Sequence, residues 1–420
     1  MTRRPMSTST QEPTTPRRRP TGRSIALLGP AFVAAIAYVD PGNVAANLTA
    51  GAKYGYLLIW VLVLANAMAV LVQYLSAKLG LVSGRSLPEM LGQRLRKNNR
   101  RAFWLQAEMM AIATDVAEVI GGAIALNLLF DIPLFLGGLI TGCVSMVILT
   151  IQSRRGQRTF EFVVMGLLAI ITIGFLTGLA FTDVSGSEAV AGLVPRFEGT
   201  ETVLLAASML GATVMPHAIY LHSALARDRH GHIKPGPRLQ RLLKVTRWDV
   251  VVALIIAGGV NIGMLLLAAS ALRGVPGTDT IDGAHAAIEN SLGPGVAVVF
   301  AIGLLASGLA STSVGCAAGA EIMHGLLAIR IPVITRRIVT LIPALIVLGL
   351  GVDPTLALVL SQVVLSLCIP FAIIPLVRMT SDPELMGDAR NAPFTTVAAW
   401  IAAGLIVALN VALLVLTVTG

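Results

Sequence analysis

Asp40-Pro41-Gly42-Asn43 interrupts an apolar run that extends from about Ser24 to Leu48. A carboxylate in such a run is costly and marks a functional site by default. The proline after it cannot donate a backbone hydrogen bond, and the glycine next to it weakens the helix further. Together they predict a helix opened near the middle of a membrane, with carbonyls left without intrahelical partners. Open backbone at that depth is tolerated only where it is buried in protein or lines a cavity. Asp40, Asn43 and freed carbonyls are therefore candidates for a cation site. The competing reading is a plain proline kink whose aspartate is capped by a neighbouring helix. A second interruption occurs at Ala212-Thr213-Val214-Met215-Pro216-His217. Asp40 and Asn43 offer hard oxygens, whereas Met215 offers a soft thioether that suits magnesium or calcium poorly. The mixture fits a divalent transition metal such as manganese or iron(II). Core packing is the alternative role for Met215.

Glu108, Asp115 and Glu118 follow one another at spacings of seven and three, on one helical face. Three carboxylates on one face of a membrane helix must point at a water-filled path or at basic partners. Arg336 and Arg337 are candidate partners, and the pattern suits either a proton relay or a structural ion-pair network. His217 adjoins the second break, and His222 lies on the same segment; imidazole titrates near neutral pH. A metal ligand, a proton acceptor and a core imidazole are all open for them. Gln362 and Asn261 are amides inside apolar segments, able to reach a cavity or bond across helices. There is no HExxH, Cys-rich metal motif, Walker A or Gly-x-Ser-x-Gly motif, so nothing points to an enzyme or a resident cofactor.

The elements that must position these groups are membrane helices. Of 420 residues, 55% are hydrophobic and 13% charged, with a mean hydropathy of +0.81. A soluble domain carries about twice that share of charge. The chain reads as an all-α polytopic membrane protein whose solvent is the lipid bilayer. Eleven spans are expected near residues 24–50, 56–80, 102–130, 134–152, 159–182, 201–226, 248–272, 293–327, 332–350, 354–377 and 393–419. Alternating their connections places all but Lys53, Arg196 and Arg273 of the 31 Lys and Arg on one side. That asymmetry predicts a multi-pass cell-membrane protein with a cytoplasmic N-terminus and an external C-terminus. The net charge of +9 is thus an orientation signal, and no nucleic-acid partner is implied. Residues 1–23 read as a disordered cytoplasmic tail, and 24–420 as one transmembrane domain. Cys143, Cys316 and Cys368 sit in separate apolar segments and imply no disulfide framework. Nothing requires an oligomer, so a monomer is expected.

Spans one and six carry matching breaks, five spans apart. Paired broken helices in corresponding halves are the best sequence pointer to a transporter binding site. The odd offset gives the halves opposite topology: an inverted repeat of about 24–182 and 201–377, with span eleven appended. Aligning Pro41 on Pro216 sets Ala37 opposite Ala212 and Asp40 opposite Met215.

At Asp40-Pro41-Gly42-Asn43 and Met215-Pro216-His217 the sequence resembles the Nramp family of proton-coupled divalent metal transporters, most of all its bacterial manganese transporters. The similarity extends through residues 51–61, through Ala113-Thr114-Asp115-Val116-Ala117-Glu118-Val119-Ile120-Gly121 and through Gly211 to Ser223. The resemblance implies a LeuT-type fold with metal bound between the unwound parts of spans one and six. It implies Asp40, Asn43 and Met215 as ligands, with the carbonyls of Ala37 and Ala212 and, in some conformations, Gln362. It assigns His217, Asp115 and Glu118 to the proton path, with Arg337, Glu108 and His222 as further members. Ala218 departs from the asparagine frequent after Met-Pro-His, and span eight has Leu309, Ala320 and His324 where polar or acidic side chains are common. These departures lie off the implied metal ligands.

The favoured reading is a secondary transporter importing manganese or iron(II) with protons. The alternative is an amine or amino-acid symporter of the same fold, with Asp40 pairing an ammonium group. A metal channel would need no coupling relay, and a membrane metallohydrolase lacks its usual ligands.

Overall fold

The computed structural model describes residues 29–155, 157–231 and 233–419, and these are overwhelmingly helical. The expected tail over residues 1–23 lies outside the described residues. Span one is split into α1 (Pro30–Ile36) and α2 (Pro41–Tyr54). There follow α3 (Ile59–Ser83), a short α4 (Leu87–Arg94), α5 (Lys97–Phe130), α6 (Leu134–Arg155), α7 (Gln157–Leu176) and a short α8 (Gly186–Ala191). Span six is likewise split, into α9 (Thr200–Thr213) and α10 (Pro216–His230). The remainder comprises α11 (Pro237–Leu267), α12 (Ile281–Leu292), α13 (Pro294–Leu327), α14 (Val333–Gly349), α15 (Pro354–Ser381), α16 (Pro383–Met386) and α17 (Pro393–Thr419). Proline opens many of them, at Pro30, Pro41, Pro216, Pro237, Pro294 and Pro354. Its missing N–H is unneeded in a first turn, and its fixed φ suits one.

Each expected span corresponds to a helix or a broken pair of helices. Among the described residues, eight segments are long and apolar enough to cross a membrane unaided. The other three expected spans fall short for identifiable reasons. The first is broken at Asp40; the fourth has a shorter apolar stretch, Leu134–Thr150; the ninth, α14, has 17 residues and carries Arg336 and Arg337. Helices α5 and α11 begin earlier than expected because their charged leading turns contain good helix formers and continue the helix beyond the apolar span. The sequence reading missed α12 altogether. Thr280 caps its N-terminus, and Ile281, Ala284 and Ile288 bury one face of this otherwise polar segment.

Four pairs of spans that lie five apart in the chain pack against each other. Half-helix α1 lies against α10, and α2 against α9. Helix α3 packs on α11, α5 on α13, and α6 on α14. The bundle has an outer member in α17, which docks on α15 and α9. Pro370 cannot donate to the carbonyl of Ser366, four residues earlier. Asn410 of α17 fills that place, donating from Nδ2 to Ser366 O at 2.8 Å and accepting from Ser366 Oγ at 2.8 Å. A proline deep in α15 thereby creates the polar socket that fixes the last helix.

Candidate metal site

The first break is a short 3₁₀ turn, Ala37–Val39, followed by Asp40 in an extended conformation with ψ 167°. Asp40 then caps α2, with Asn43 N donating to Asp40 Oδ1 at 2.8 Å. An aspartate followed by proline is well suited to this geometry: the side chain satisfies an orphan N–H, and Pro41 occupies the first helical position. Pro41 leaves the Ala37 carbonyl without its ordinary intrahelical donor. The next two carbonyls are taken up by side chains of neighbouring helices. Asn261 Nδ2 donates to Tyr38 O at 2.7 Å, and Ser307 Oγ donates to Val39 O at 2.5 Å. Asn47 Nδ2 in turn donates to Asn261 Oδ1 at 3.0 Å. Two of the opened carbonyls are thus occupied from α11 and α13, which support the break at Tyr38 and Val39.

The second break passes through Val214 and Met215, both outside helical geometry, with Met215 at the N-cap of α10. Pro216 deprives the Ala212 carbonyl of its intrahelical donor just as Pro41 does for Ala37. Asn43 Nδ2 fills this gap. It donates to Ala212 O at 2.9 Å and to Asp40 Oδ1 at 2.8 Å, so one amide joins both breaks. Gln362 of α15 approaches the other carboxylate oxygen, Nε2 to Asp40 Oδ2 at 3.5 Å. Asp40, Asn43, Ala37, Ala212, Met215 and Gln362 are all 0–1% exposed. Asn43 Oδ1 and Gln362 Oε1 are buried and meet no donor. Close approach depends on two glycines. A side chain at Gly42 would overlap the Gln362 amide, and one at Gly211 would overlap the Gln362 carbonyl.

The structure brings the acidic face of α5 to α14, as expected from sequence. Arg336 Nη2 meets Glu108 Oε1 at 2.9 Å, and Arg337 Nη1 meets Asp115 Oδ1 at 2.9 Å. Arg337 is fully buried and also donates to Ser145 Oγ at 2.9 Å. Glu118, one turn further along α5, has no basic partner among the described residues, and neither of its oxygens meets a donor. His217 Nδ1 lies 3.3 Å from Thr114 Oγ1 on the same helix α5, while His217 Nε2 is buried and unpartnered. His222 stands apart from this array. Its Nδ1 lies 2.8 Å from Gln73 Oε1, and Gln73 Nε2 donates to Tyr38 Oη at 2.6 Å. This chain connects α10 through α3 to the first break. Sequence reasoning missed Tyr38, Gln73, Asn47 and Ser307 because a single polar residue in an apolar helix gives no sign of what it faces.

Among the described residues no group of three or more His, Cys, Asp or Glu is placed to hold a metal ion. The group joined at the breaks escapes that pattern because it contains one carboxylate, Asp40, with the amides of Asn43 and Gln362 and the carbonyl of Ala212. The family described as Natural resistance-associated macrophage protein-like (Nramp) matches residues 31–416. The chain belongs to the Nramp family. Nramp proteins are transporters, not enzymes. A Nramp relative, the divalent metal cation transporter MntH of Mycobacterium tuberculosis (strain CDC 1551 / Oshkosh), is 61% identical over 394 residues, 94% of this chain and 92% of that protein. The crystal structure of the Eremococcus coleocola manganese transporter, solved with an aromatic bis-isothiourea compound, superposes with a TM-score of 0.83 at 30% identity, covering 92% of this chain and 85% of that one. Mhp1, a nucleobase-cation-symport-1 family transporter, has the same fold at 17% identity, with a TM-score of 0.57 over 93% of this chain and 91% of its own.

Proposed function

We propose that this Nramp chain imports a divalent transition metal, manganese foremost and iron(II) second, coupled to protons, with the metal bound between the two helix breaks. One observation carries the reading. Asn43 Nδ2, a donor with partial positive charge, sits between Asp40 Oδ1 and Ala212 O at 2.8 and 2.9 Å. These two oxygens, from different broken helices, converge on one point that demands positive charge. Turning the Asn43 amide would offer Oδ1 to that same point, so a cation there would replace the N–H bonds with oxygen contacts. Gln362 Oε1, also without a donor, is a further oxygen, and Ala37 O and the Met215 thioether complete the proposed ligand set. The soft sulfur would select a transition metal over the more abundant calcium and magnesium. An organic amine, paired with Asp40, would make no use of the Met215 thioether.

The proton route we assign to His217, Glu118, Asp115, Glu108, Arg336 and Arg337, with His222 a member reached through Gln73. In it, Glu118 is the carrier. It adjoins Asp115, whose charge Arg337 already balances, and it has no cation of its own. A proton moving down about 100 mV supplies about 2.3 kcal/mol, enough to raise an accumulated gradient about fiftyfold. The five-span packing interval supports an inverted repeat of LeuT type, with residues 24–182 and 201–377 as halves and 393–419 appended. We assign eleven crossings, a cytoplasmic N-terminus, an external C-terminus and a monomeric state.

The test is manganese uptake into proteoliposomes under an imposed inward proton gradient. The parent should accumulate manganese, and Asp40→Ala should fall to the level of protein-free vesicles. Equal uptake by the two would remove the site from the breaks.

A further inference from the structure

A cavity of about 480 Å³ opens at the start of α5, on the side of the bundle where Lys and Arg accumulate. Lys97, Arg100 and Arg101 line it, together with Trp104, Leu105 and Leu327. None of these three cations takes part in an ion pair among the described residues. Nor does the first turn of α5 contain an acidic residue. Cations at a helix N-terminus oppose the macrodipole, so the arrangement lacks a counter-charge both locally and along the helix. Arg100 makes one bond, from Nη1 to Gly92 O at 3.3 Å, and its Nε is buried without an acceptor. The indole N–H of Trp104 is also buried without an acceptor. The cavity therefore collects three positive charges, and no carboxylate lines it.

Its apolar side has a direction. Leu105 is 56% exposed and Met109, one turn on, is 59% exposed. Together with Arg101 they form a row at intervals of four residues along α5, charged at the helix start and apolar toward the bilayer interior. A ligand matching this row has a phosphate at one end and a hydrocarbon chain at the other. Tryptophan at the junction of the two is common at the headgroup level of a bilayer.

We propose that this cavity binds the headgroup of an anionic phospholipid of the basic-side leaflet, its phosphate held by Lys97, Arg100 and Arg101 and an acyl chain laid over Leu105 and Met109. The site is remote in sequence from the metal ligands and does not depend on the transport reading. Basic pockets between membrane helices on the cytoplasmic side are suited to such headgroups. By contrast Arg238, Arg241 and Lys244 begin α11 as exposed cations, and they line neither this cavity nor the other surface cavities described for the chain.

The experiment is thermal unfolding of the purified full chain in detergent, titrated with palmitoyl-oleoyl phosphatidylglycerol, with the matching phosphatidylcholine, and with inorganic phosphate. The phosphatidylglycerol titration should raise the parent's Tm by about 5 °C, and the other two should leave it unchanged. Lys97→Gln/Arg100→Gln/Arg101→Gln should shift the phosphatidylglycerol midpoint about a hundredfold higher. Arg238→Gln/Arg241→Gln/Lys244→Gln should respond like the parent. Equal losses in both triple variants would reduce the effect to general surface charge and overturn the site. Stabilisation by inorganic phosphate, with nothing added by the lipid, would replace the phospholipid with a free anion and also overturn the proposal. If the first triple variant does not fold, Arg101→Gln, an exposed residue, carries the same comparison: an unchanged midpoint would contradict the site.

Discussion

At the residue scale, the proposed site would join groups of different chemical hardness around one buried carboxylate, Asp40. Met215→Ala should leave the oxygen ligands in place but remove the soft partner. We expect calcium to compete about tenfold better against manganese uptake, a difference of about 1.4 kcal/mol. An unchanged manganese-to-calcium preference would show that selectivity does not reside in the sulfur. Arg337 poses a different question. Its guanidinium is 0% exposed and faces Asp115 at 2.9 Å. Replacing it by alanine strands a buried carboxylate, which costs about 3–5 kcal/mol. Arg337→Ala should therefore lower the unfolding temperature markedly, whereas Arg337→Ala/Asp115→Ala should recover much of the loss. A double variant as unstable as the single one would mean that the pair's charge is not the source of the penalty. Much of this scale was legible in sequence, because a carboxylate, an arginine or a Met-Pro pair inside an apolar run is conspicuous. Their partners were less so. The pairing of α5 carboxylates with Arg336 and Arg337 followed from charge alone, but the occupation of the Tyr38 and Val39 carbonyls by Asn261 and Ser307 did not.

At the element scale, the two breaks depend on the same device. A proline removes the donor for the carbonyl four residues back, and a polar side chain caps or bridges what remains. Asn261 is the support that the account makes most exposed to test. It serves Tyr38 O and accepts from Asn47, so Asn261→Ala leaves a buried acceptor and a buried donor unmet. The cost should be about 1–3 kcal/mol for each orphaned group. Chemical or thermal unfolding would register it, and a variant within experimental error of the parent would mean the break holds itself open. The outer ends of α2 and α9 are also tied, by Lys53 Nζ to Glu201 Oε1 at 2.7 Å and Tyr54 Oη to Glu201 Oε2 at 2.8 Å. Both members of the ion pair are more than a third exposed, so it contributes at most about 1 kcal/mol. The close approach of Gly51 to Ala268, where a Cβ would come within 2.6 Å, is the stronger constraint on that end. The breaks themselves were plain in the sequence, since proline and glycine act locally. Helix α12 was not, because its short amphipathic pattern lies within a polar loop.

At the scale of the whole molecule, the packing of α1 on α10 and of α2 on α9 sets the two breaks, and with them the proposed metal ligands, against each other. The acidic array of α5 runs beside them toward α14. In the proposed coupling the carrier is Glu118, the member of that array that among the described residues has neither a cation nor a hydrogen-bond donor. Glu118→Gln should retain manganese movement down its own gradient while losing most of its stimulation by an inward proton gradient. Parallel uptake of manganese and a vesicle-trapped pH dye would separate the two. Undiminished gradient stimulation in the variant would place the carrier elsewhere. The distribution of Lys and Arg gives an expectation for span count and sidedness, but none for the packing partners of each helix. Apolar helices of similar composition offer little sequence information about their neighbours. The matched breaks were the exception, because two rare defects five spans apart already suggest two halves facing each other.

The proposed transport site requires a metal ion between Asp40, Asn43 and Met215. Anomalous X-ray diffraction at the manganese edge, from crystals of the full chain grown with manganese, tests it most directly. A strong peak is expected within about 2–2.6 Å of carboxylate and carbonyl oxygens at the two breaks, the range of hard divalent cations. That peak should vanish in Asp40→Ala crystals grown alike. A peak confined to the exposed carboxylates near Glu188, Glu198 and Glu201, with none at the breaks, would contradict it.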